Sequence, residues 1–502
     1  MHQSYDVIVV GGGSAGCAAA ARLSQDAGCR VLLLEAGPDP SPLPDVVALT
    51  SMQHQLHESP YVLHYPTPRP DGSEMSSLSG RIMGGGSSVN QASVVRPPRA
   101  DMDLWAALGN DAWSYDAVLP VMRRIEADQD YPDSPFHGAD GPLYVKRPWT
   151  LDMPASEPLA ALVERALGMG LPACPDINGP EPLGVCPSPY SIKEGQRQSS
   201  TVAYLDPARG RANLTVVAEA PVHRLTLEGG RVTGVVHAKN GREHVVAGDR
   251  VVLCAGVFHS PQILQLSGVG PEAELRRIGI PTAHALEGVG GNYQDHPVVQ
   301  MTFAGGLSRQ PFDWMATRLK LLVKSDPGLA AGDLHLMLGP PQPGPDGAPL
   351  VSMTVRLLQQ RNRGRVRLAS DDPRALPHVD ARLLLDPGDV AAVRAGMGFV
   401  HELTQHPSLA PFVGAPVEPT SPVAWTQHAV GTYDTYHHGV GTCMMGQGSD
   451  PLAVVDQHLR VHGIENLWVG DASIMPTITR ASTNFTAVII GERVAEFVEA
   501  AA

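Results

Sequence analysis

Tyr5-Asp6-Val7-Ile8-Val9-Val10 is a short apolar run rich in β-branched side chains, and Gly11-Gly12-Gly13-Ser14-Ala15-Gly16 follows it directly. An Ala-rich stretch over 17–28 comes next, then Arg30-Val31-Leu32-Leu33-Leu34-Glu35-Ala36-Gly37. β-Branched residues favour strands and alanines favour helix, so the order reads strand, glycine turn, helix, strand. Gly11, Gly13 and Gly16 fit G-x-G-x-x-G. The first glycine permits the tight turn, the second lets a pyrophosphate approach the backbone, and the third lets helix and strand pack closely. Free N–H groups and the positive dipole end of the helix favour phosphate. Glu35 lies 19 residues after Gly16, where a carboxylate accepts from ribose hydroxyls. Ser14 and Ala15 at the helix start, and Ala36 beside Glu35, are further candidate contacts. The segment reads as a dinucleotide-binding unit. It does not separate FAD from NAD, although Glu35 disfavours the 2′-phosphate of NADP.

The rest of the chain bounds the alternatives. Its 502 residues suggest two to four domain-sized units. Lys and Arg total 37 and Asp and Glu 51, a formal net charge of −14. An acidic chain without a basic run repels nucleic acid and anionic lipid. No stretch reaches the roughly 18 apolar residues of a membrane span. The N-terminus lacks the basic and apolar regions of a signal peptide, so a cytoplasmic location is expected. Cys17, Cys29, Cys174, Cys186, Cys254 and Cys443 form no C-x-x-C, so neither a zinc site nor any other metal site is expected, and disulfides are not expected in a cytoplasmic protein. Oligomeric state leaves no mark on the sequence.

Three later stretches narrow the cofactor. Residues 80–90 read GRIMGGGSSVN, 255–270 read AGVFHSPQILQLSGVG, and 466–498 read NLWVGDASIMPTITRASTNFTAVIIGERVAEFV. With TYHHGVGTCMMG at 435–446, GNYQDHP at 291–297 and RNRGRVRL at 361–368, they resemble the glucose–methanol–choline oxidoreductases, in this order and over nearly the whole chain. The resemblance implies FAD and an alcohol substrate, with oxygen or another acceptor taking the electrons. In the glycine loop it points to Gly84, Ser88, Asn90 and Val94 as flavin contacts. Val222 resembles the residue that meets adenine through its backbone. Asp471 with Ala472, and Phe485, resemble contacts of a second flavin-binding turn. The position that carries a covalent flavin link in some members is Val89, so FAD is expected to be non-covalent. The stretch 260–268 reads as a core helix behind the cofactor.

The fold class expected is α/β, α+β overall: a Rossmann-like FAD-binding domain and a second, substrate domain on a largely antiparallel sheet. The FAD motifs lie at both ends and in the middle, so that domain is discontinuous, over 1–145, 200–300 and 430–502. The substrate domain takes 146–199 and 301–429. Residues 334–338, 351–358, 364–369 and 378–384 read as its strands, and 338–349, rich in Pro and Gly, as an exposed loop. The arginines of 364–369 alternate outward as a solvated face.

For the chemistry, the resemblance implies that a base takes the hydroxyl proton of an alcohol while hydride passes from its carbon to flavin N5. It places a histidine directly before a G-x-G-T bend, and His438-Gly439-Val440-Gly441-Thr442 fits. Histidine suits a base working near neutral pH. The second position, a histidine, asparagine or proline in the family, is read as Asn484, whose amide can donate to the developing alkoxide. His437 is read as a neighbour, His259 and His296 as structural, and Cys443 with Met444-Met445 as packing beneath the bend. The expected reaction is oxidation of a primary hydroxymethyl group to an aldehyde, on a small aromatic or furan alcohol or on an amino-sugar of aminoglycoside assembly. The alternative is a hydroxynitrile lyase, which uses the same flavin fold without net redox.

Overall fold

The computed structural model describes residues 4–49, 56–305, 319–339 and 341–501. Two large sheets organise them. In the first, Leu214–Val217, Val31–Leu34, Tyr5–Val10, the long strand Arg242–Leu253 and Leu467–Val469 lie side by side and parallel. The front half of Arg242–Leu253 leaves this array. It pairs antiparallel with Arg231–Lys239, which pairs with Val222–Glu228. Val7, Ile8, Val9, Leu33, Val251 and Leu253 are fully buried, the continuous apolar pattern of strands covered on both faces. The helices Ser14–Leu23 and Thr483–Ala500 pack closely here: a methyl on Gly491 would lie 2.3 Å from the Ala15 carbonyl oxygen. Three parallel strands end together, at Gly11, Cys254 and Gly470, with Cys254 N donating to Val10 O and Gly470 N to Leu253 O. The carboxyl ends of such strands are where an open α/β sheet receives its ligand.

The second sheet is antiparallel, in the order Val413–Glu418, Pro297–Gly305, Pro349–Leu357, Leu334–Leu338, Leu319–Val323 and Gly184–Pro187. Side chains alternate between its faces. Leu321, Leu336 and Val355 stand in register on one face, which belongs to the same core as Val393, Met397 and Val400 of the helix Pro387–Thr404. The register aligns His335 with Arg356 on the opposite face, and Lys320 with Cys186. Pro297–Gly305 and Asp434–Thr435 both join this sheet, although the expected boundaries at 300 and 430 would divide or exclude them.

Two strand expectations need correction. Arg365–Arg367 and His378–Asp380 pair only with each other, as a separate ribbon, and the strand stops at Asp380 because Arg382 and Leu384 take positive φ. The expected loop at 338–349 contains a short strand, Gln342–Pro343, on the edge of Pro349–Leu357.

A buried ion network lies beside the segment 143–147. His137 sets Nδ1 against Glu126 at 2.7 Å and Asp128 at 3.2 Å, and Nε2 against Asp176 at 2.8 Å. Arg96 pairs with Glu126, and Arg147 with Asp128, Asp130 and Asp176. Burial disfavours the imidazolium, but Asp128, Asp176 and Glu126 raise the His137 pKa to about 10. Glu126, Asp128 and His137 have the geometry of a metal ligand set, yet both ring nitrogens and two arginines already occupy the carboxylates.

Candidate active site

A chamber of about 1090 Å³ opens at the carboxyl ends of the parallel strands. That is the upper end of the range for small-molecule sites. One part of its wall is the glycine turn. A methyl on Gly11, whose φ is +101°, would lie 2.4 Å from Cys254 O, and one on Gly16 would lie 1.8 Å from Gly11 O. These two glycines are required by protein packing. A methyl on Gly13 would meet no atom within 4 Å, so its backbone faces the open chamber. Glu35 Oε2 accepts from Gly12 N and Oε1 from Gly37 N, both at 2.7 Å, which locks the carboxylate at the end of its strand. Burial raises its pKa, and the backbone N–H groups oppose that.

The N-termini of Ser14–Leu23 and Thr483–Ala500 meet in this wall. Ser14 Oγ donates to Asn484 Oδ1 at 2.7 Å, across 470 residues of sequence. The bond ties Asn484 to the glycine-turn helix and leaves its Nδ2 as the free end of the amide. Asp471 is also held: Oδ2 accepts from Gly256 N and Ser260 Oγ, and Oδ1 from Ser473 N.

Gly11, Gly13, Ser14, Ala15, Glu35, Ala36, Asn90, Val222, Asp471, Ala472, His438 and Asn484 all line the chamber. Gly16, Gly84, Ser88, Val94 and Phe485, also expected as contacts, stand behind that wall. Gly84 and Ser88 build the second glycine loop from inside: Gly84 N donates to Gly12 O, and Ser88 Oγ to Met83 O. Val94 and Phe485 are core residues, 2% and 1% exposed. The loop's chamber face is Gly85, Gly86, Val89 and Asn90.

His438 stands in another part of the wall, and its protonation pattern follows from its neighbours. His296 Nε2 lies 3.1 Å from the Thr479 carbonyl oxygen. A carbonyl only accepts, so Nε2 carries the proton. Burial lowers the His296 pKa to about 4, so the ring is neutral and its Nδ1 is a lone pair. His438 Nδ1, 2.9 Å away, must therefore donate. Burial, followed by His296 and other nearby positive groups, also holds His438 well below the ordinary histidine range. The network assigns a neutral His438 whose Nε2 is an unprotonated lone pair. Asp295 fixes the backbone here, accepting from His438 N at 2.9 Å, His296 N at 2.7 Å, and the hydroxyls of Tyr293 and Thr435.

His437 differs from its neighbour by its backbone. Its φ of +59° lies in the left-handed region, unusual for a non-glycine residue. Its N–H donates to Thr435 Oγ1, and its ring meets His57 edge-on at 6.2 Å. Both histidines line the chamber, but only His438 has the His296 partner. His259, read as structural, also lines the chamber and binds Tyr65 Oη and Gln262. His296, expected to be structural too, sets the tautomer of His438. The signal available was its place in GNYQDHP. Arg356 stacks 4.0 Å over the Tyr436 ring, whose centroid is 4.4 Å from that of His438.

Known proteins bear directly on this architecture. The N-terminal GMC oxidoreductase family model matches residues 5–298 and the C-terminal one residues 360–491. Choline oxidase of Arthrobacter globiformis is 33% identical over 527 residues, covering 99% of this chain and 95% of its own. Pyridoxine 4-oxidase from Mesorbium loti superposes with a TM-score of 0.91 at 29% identity, covering 98% of this chain and 99% of its own. A formate oxidase superposes at 0.88 and 25%, covering 100% and 99%. GMC oxidoreductases are FAD flavoproteins, and the open Gly13 backbone, two helix N-termini and Glu35 around one chamber fit that cofactor. With both family models matched and the fold shared along its whole length, the chain belongs to the GMC oxidoreductases, as an FAD-dependent enzyme acting on alcohols.

Proposed function

We propose that the protein oxidises a primary hydroxymethyl group to an aldehyde, with His438 Nε2 taking the hydroxyl proton. The observation that carries this is the His438–His296 bond, which leaves that lone pair available in the chamber wall. FAD, when bound, supplies the acceptor for the hydride. We assign to it Gly11, Gly13, Ser14, Ala15, Glu35, Ala36, Asn90, Val222, Asp471 and Ala472. We propose non-covalent binding, since Val89 offers no nucleophile; acid precipitation should release the flavin into the supernatant.

Asn484 Nδ2 is our donor to the substrate oxygen, oriented because Ser14 holds the amide's other end. Ser482 competes for that role, because it borders the chamber and also shares with His438 the wall of a small cavity behind it. Separate Asn484→Ala and Ser482→Ala variants decide between them: the donor is the one whose loss slows flavin reduction while flavin content holds.

The substrate we favour is a hydroxymethyl group on a small aromatic or furan ring. Leu63, Leu78, Val257, Phe258 and Val298 give the wall apolar area. The similarity to an enzyme named for pyridoxine supports the same class. An amino-sugar would lean on the exposed Glu418 and Asp434, since backbone groups already engage the Glu35 and Asp471 carboxylates. The test is anaerobic mixing with aromatic hydroxymethyl compounds and amino-sugars while flavin bleaching is followed, then exposure to air with peroxide detection. His438→Ala should slow bleaching by at least about 10²-fold, and a near-normal rate rejects His438 as the base. A cyanohydrin added to the same assay that yields aldehyde and cyanide while the flavin stays unbleached selects the lyase instead.

A further inference from the structure

Behind His438 lies a second, much smaller cavity, of about 20 Å³. A cavity of about 10–15 Å³ holds one water-sized species. His296, His438, Tyr436 and Ser482 form one part of its wall, and Lys320, His335, Arg96 and Arg480 contribute the charge. Arg96 and Arg480 are neutralised by Glu126 and Asp101. Lys320 is not. It is 2% exposed, and among the described residues its Nζ donates only to Ser93 Oγ, at 2.8 Å, a neutral acceptor that borders the main chamber.

The sheet adds more positive charge. Arg356, beside His335 in register, is 7% exposed and donates to Tyr436 Oη. Among the described residues, neither Lys320 nor Arg356 has a carboxylate oxygen within 4.0 Å. His335 Nε2 is buried, belongs to a residue in the cavity wall, and has no hydrogen-bond partner in the protein. Burial, then Arg356, lowers the Lys320 pKa to about 7, the expected response of a cation without a counter-charge. Proteins neutralise buried cations with paired carboxylates, as this one does for Arg96, Arg147 and Arg480. Here that partner is missing beside the base.

We propose that this cavity is a binding site for a small monovalent anion, held by Lys320 Nζ and His335 Nε2 with Arg356 in support. The ligand is a halide-sized ion or the carboxylate end of a substrate reaching past Ser482 and Tyr436, which border both cavities. Its charge offsets the two unpaired cations, and His335 Nε2 gains an acceptor.

The test uses the FAD-loaded protein, freed of halide and held at constant ionic strength with sodium sulfate, whose anion is divalent and too large for the cavity. Crystals soaked in sodium bromide should show anomalous density between Lys320 and His335. Calorimetric titration with bromide should show saturable binding that Lys320→Met weakens at least tenfold. Lys320→Gln keeps a donor to Ser93 and should lose bromide in the same way, which separates lost charge from lost folding. The source is read from steady-state rates with glycolate and its neutral amide, an arm that rests on the alcohol oxidation proposed above. Bromide competing with glycolate alone, with a glycolate preference that Lys320→Gln removes, assigns the site to substrate carboxylate. Bromide binding without competition assigns it to a free anion. Absence of bromide density together with equal binding by native and Lys320→Gln proteins overturns the proposal, whatever the enzyme oxidises.

Discussion

The two sheets are built by opposite rules. Strands of the parallel sheet are apolar on both faces, so chemistry is excluded from their side chains and moves to their carboxyl ends, at Gly11, Cys254 and Gly470. Strands of the antiparallel sheet alternate. One face packs beneath the helix Pro387–Thr404, and the other carries Lys320, His335 and Arg356 near His438. The first sheet presents backbone to its ligand, and the second presents side chains. A backbone site demands glycines at fixed spacing. A side-chain site demands only that polar residues recur at every second position of a strand.

Substitutions should separate the two rules. The largest effect is expected at the parallel sheet. Gly16→Val places atoms where even a methyl meets Gly11 O at 1.8 Å, and the variant should yield no folded flavoprotein, read as absent flavin absorbance in the purified chain. Recovery of normal flavin content would mean that the turn can open, and the contrast would fail there.

Next comes the positioning residue His296. His296→Leu removes the acceptor for His438 Nδ1–H and should slow flavin reduction by about 10- to 100-fold, the scale seen when outer partners that orient a histidine are lost. The pH profile is the readout that a merely structural role would not move. Burial holds native His438 well below its ordinary value, so reduction should be flat from about pH 8 to about pH 6.5 and fall only in more acid solution. In the variant that fall should shift.

The ion network around His137 should behave differently from both sheets. Its folded pKa of about 10 exceeds the unfolded value, so its contribution to stability is complete below about pH 6.5 and is lost as pH rises toward 10. The urea midpoint should therefore decline over that window, and His137→Phe should flatten the decline. The smallest change is expected from Ser14→Ala. It removes one hydrogen bond to Asn484 and should weaken FAD binding by about fivefold, equivalent to ~1 kcal/mol, measured by flavin fluorescence.

Much of the parallel sheet was legible because local sequence and local structure coincide there. Val7 to Val10, the glycines and Glu35 lie within 31 residues and carry their own geometry. How Gly84, Ser88, Val94 and Phe485 are held was not legible in the motifs: Gly84 N donates to Gly12 O, Ser88 Oγ to Met83 O, and Val94 and Phe485 pack in the core, arrangements that only the closed fold decides. The bend singled out His438 over His437, and GNYQDHP marked His296, but nothing in either stretch says that the two rings meet across 142 residues. Arg356 was hidden for another reason. In a run of alternating residues it looks like a solvated position, and only the pairing of Pro349–Leu357 with two neighbours makes it interior.

The sequence by itself determined the dinucleotide turn, the order of the motifs and the identity of the histidine before the glycine bend, because each depends on residues close together in the chain. Tertiary structure decided which tautomer that histidine holds, where Asn484 directs its amide, and which buried cations stand behind the two. Those properties depend on hydrogen bonds and desolvation between segments separated by up to 470 residues, and such contacts exist only once the two sheets have closed around the chamber.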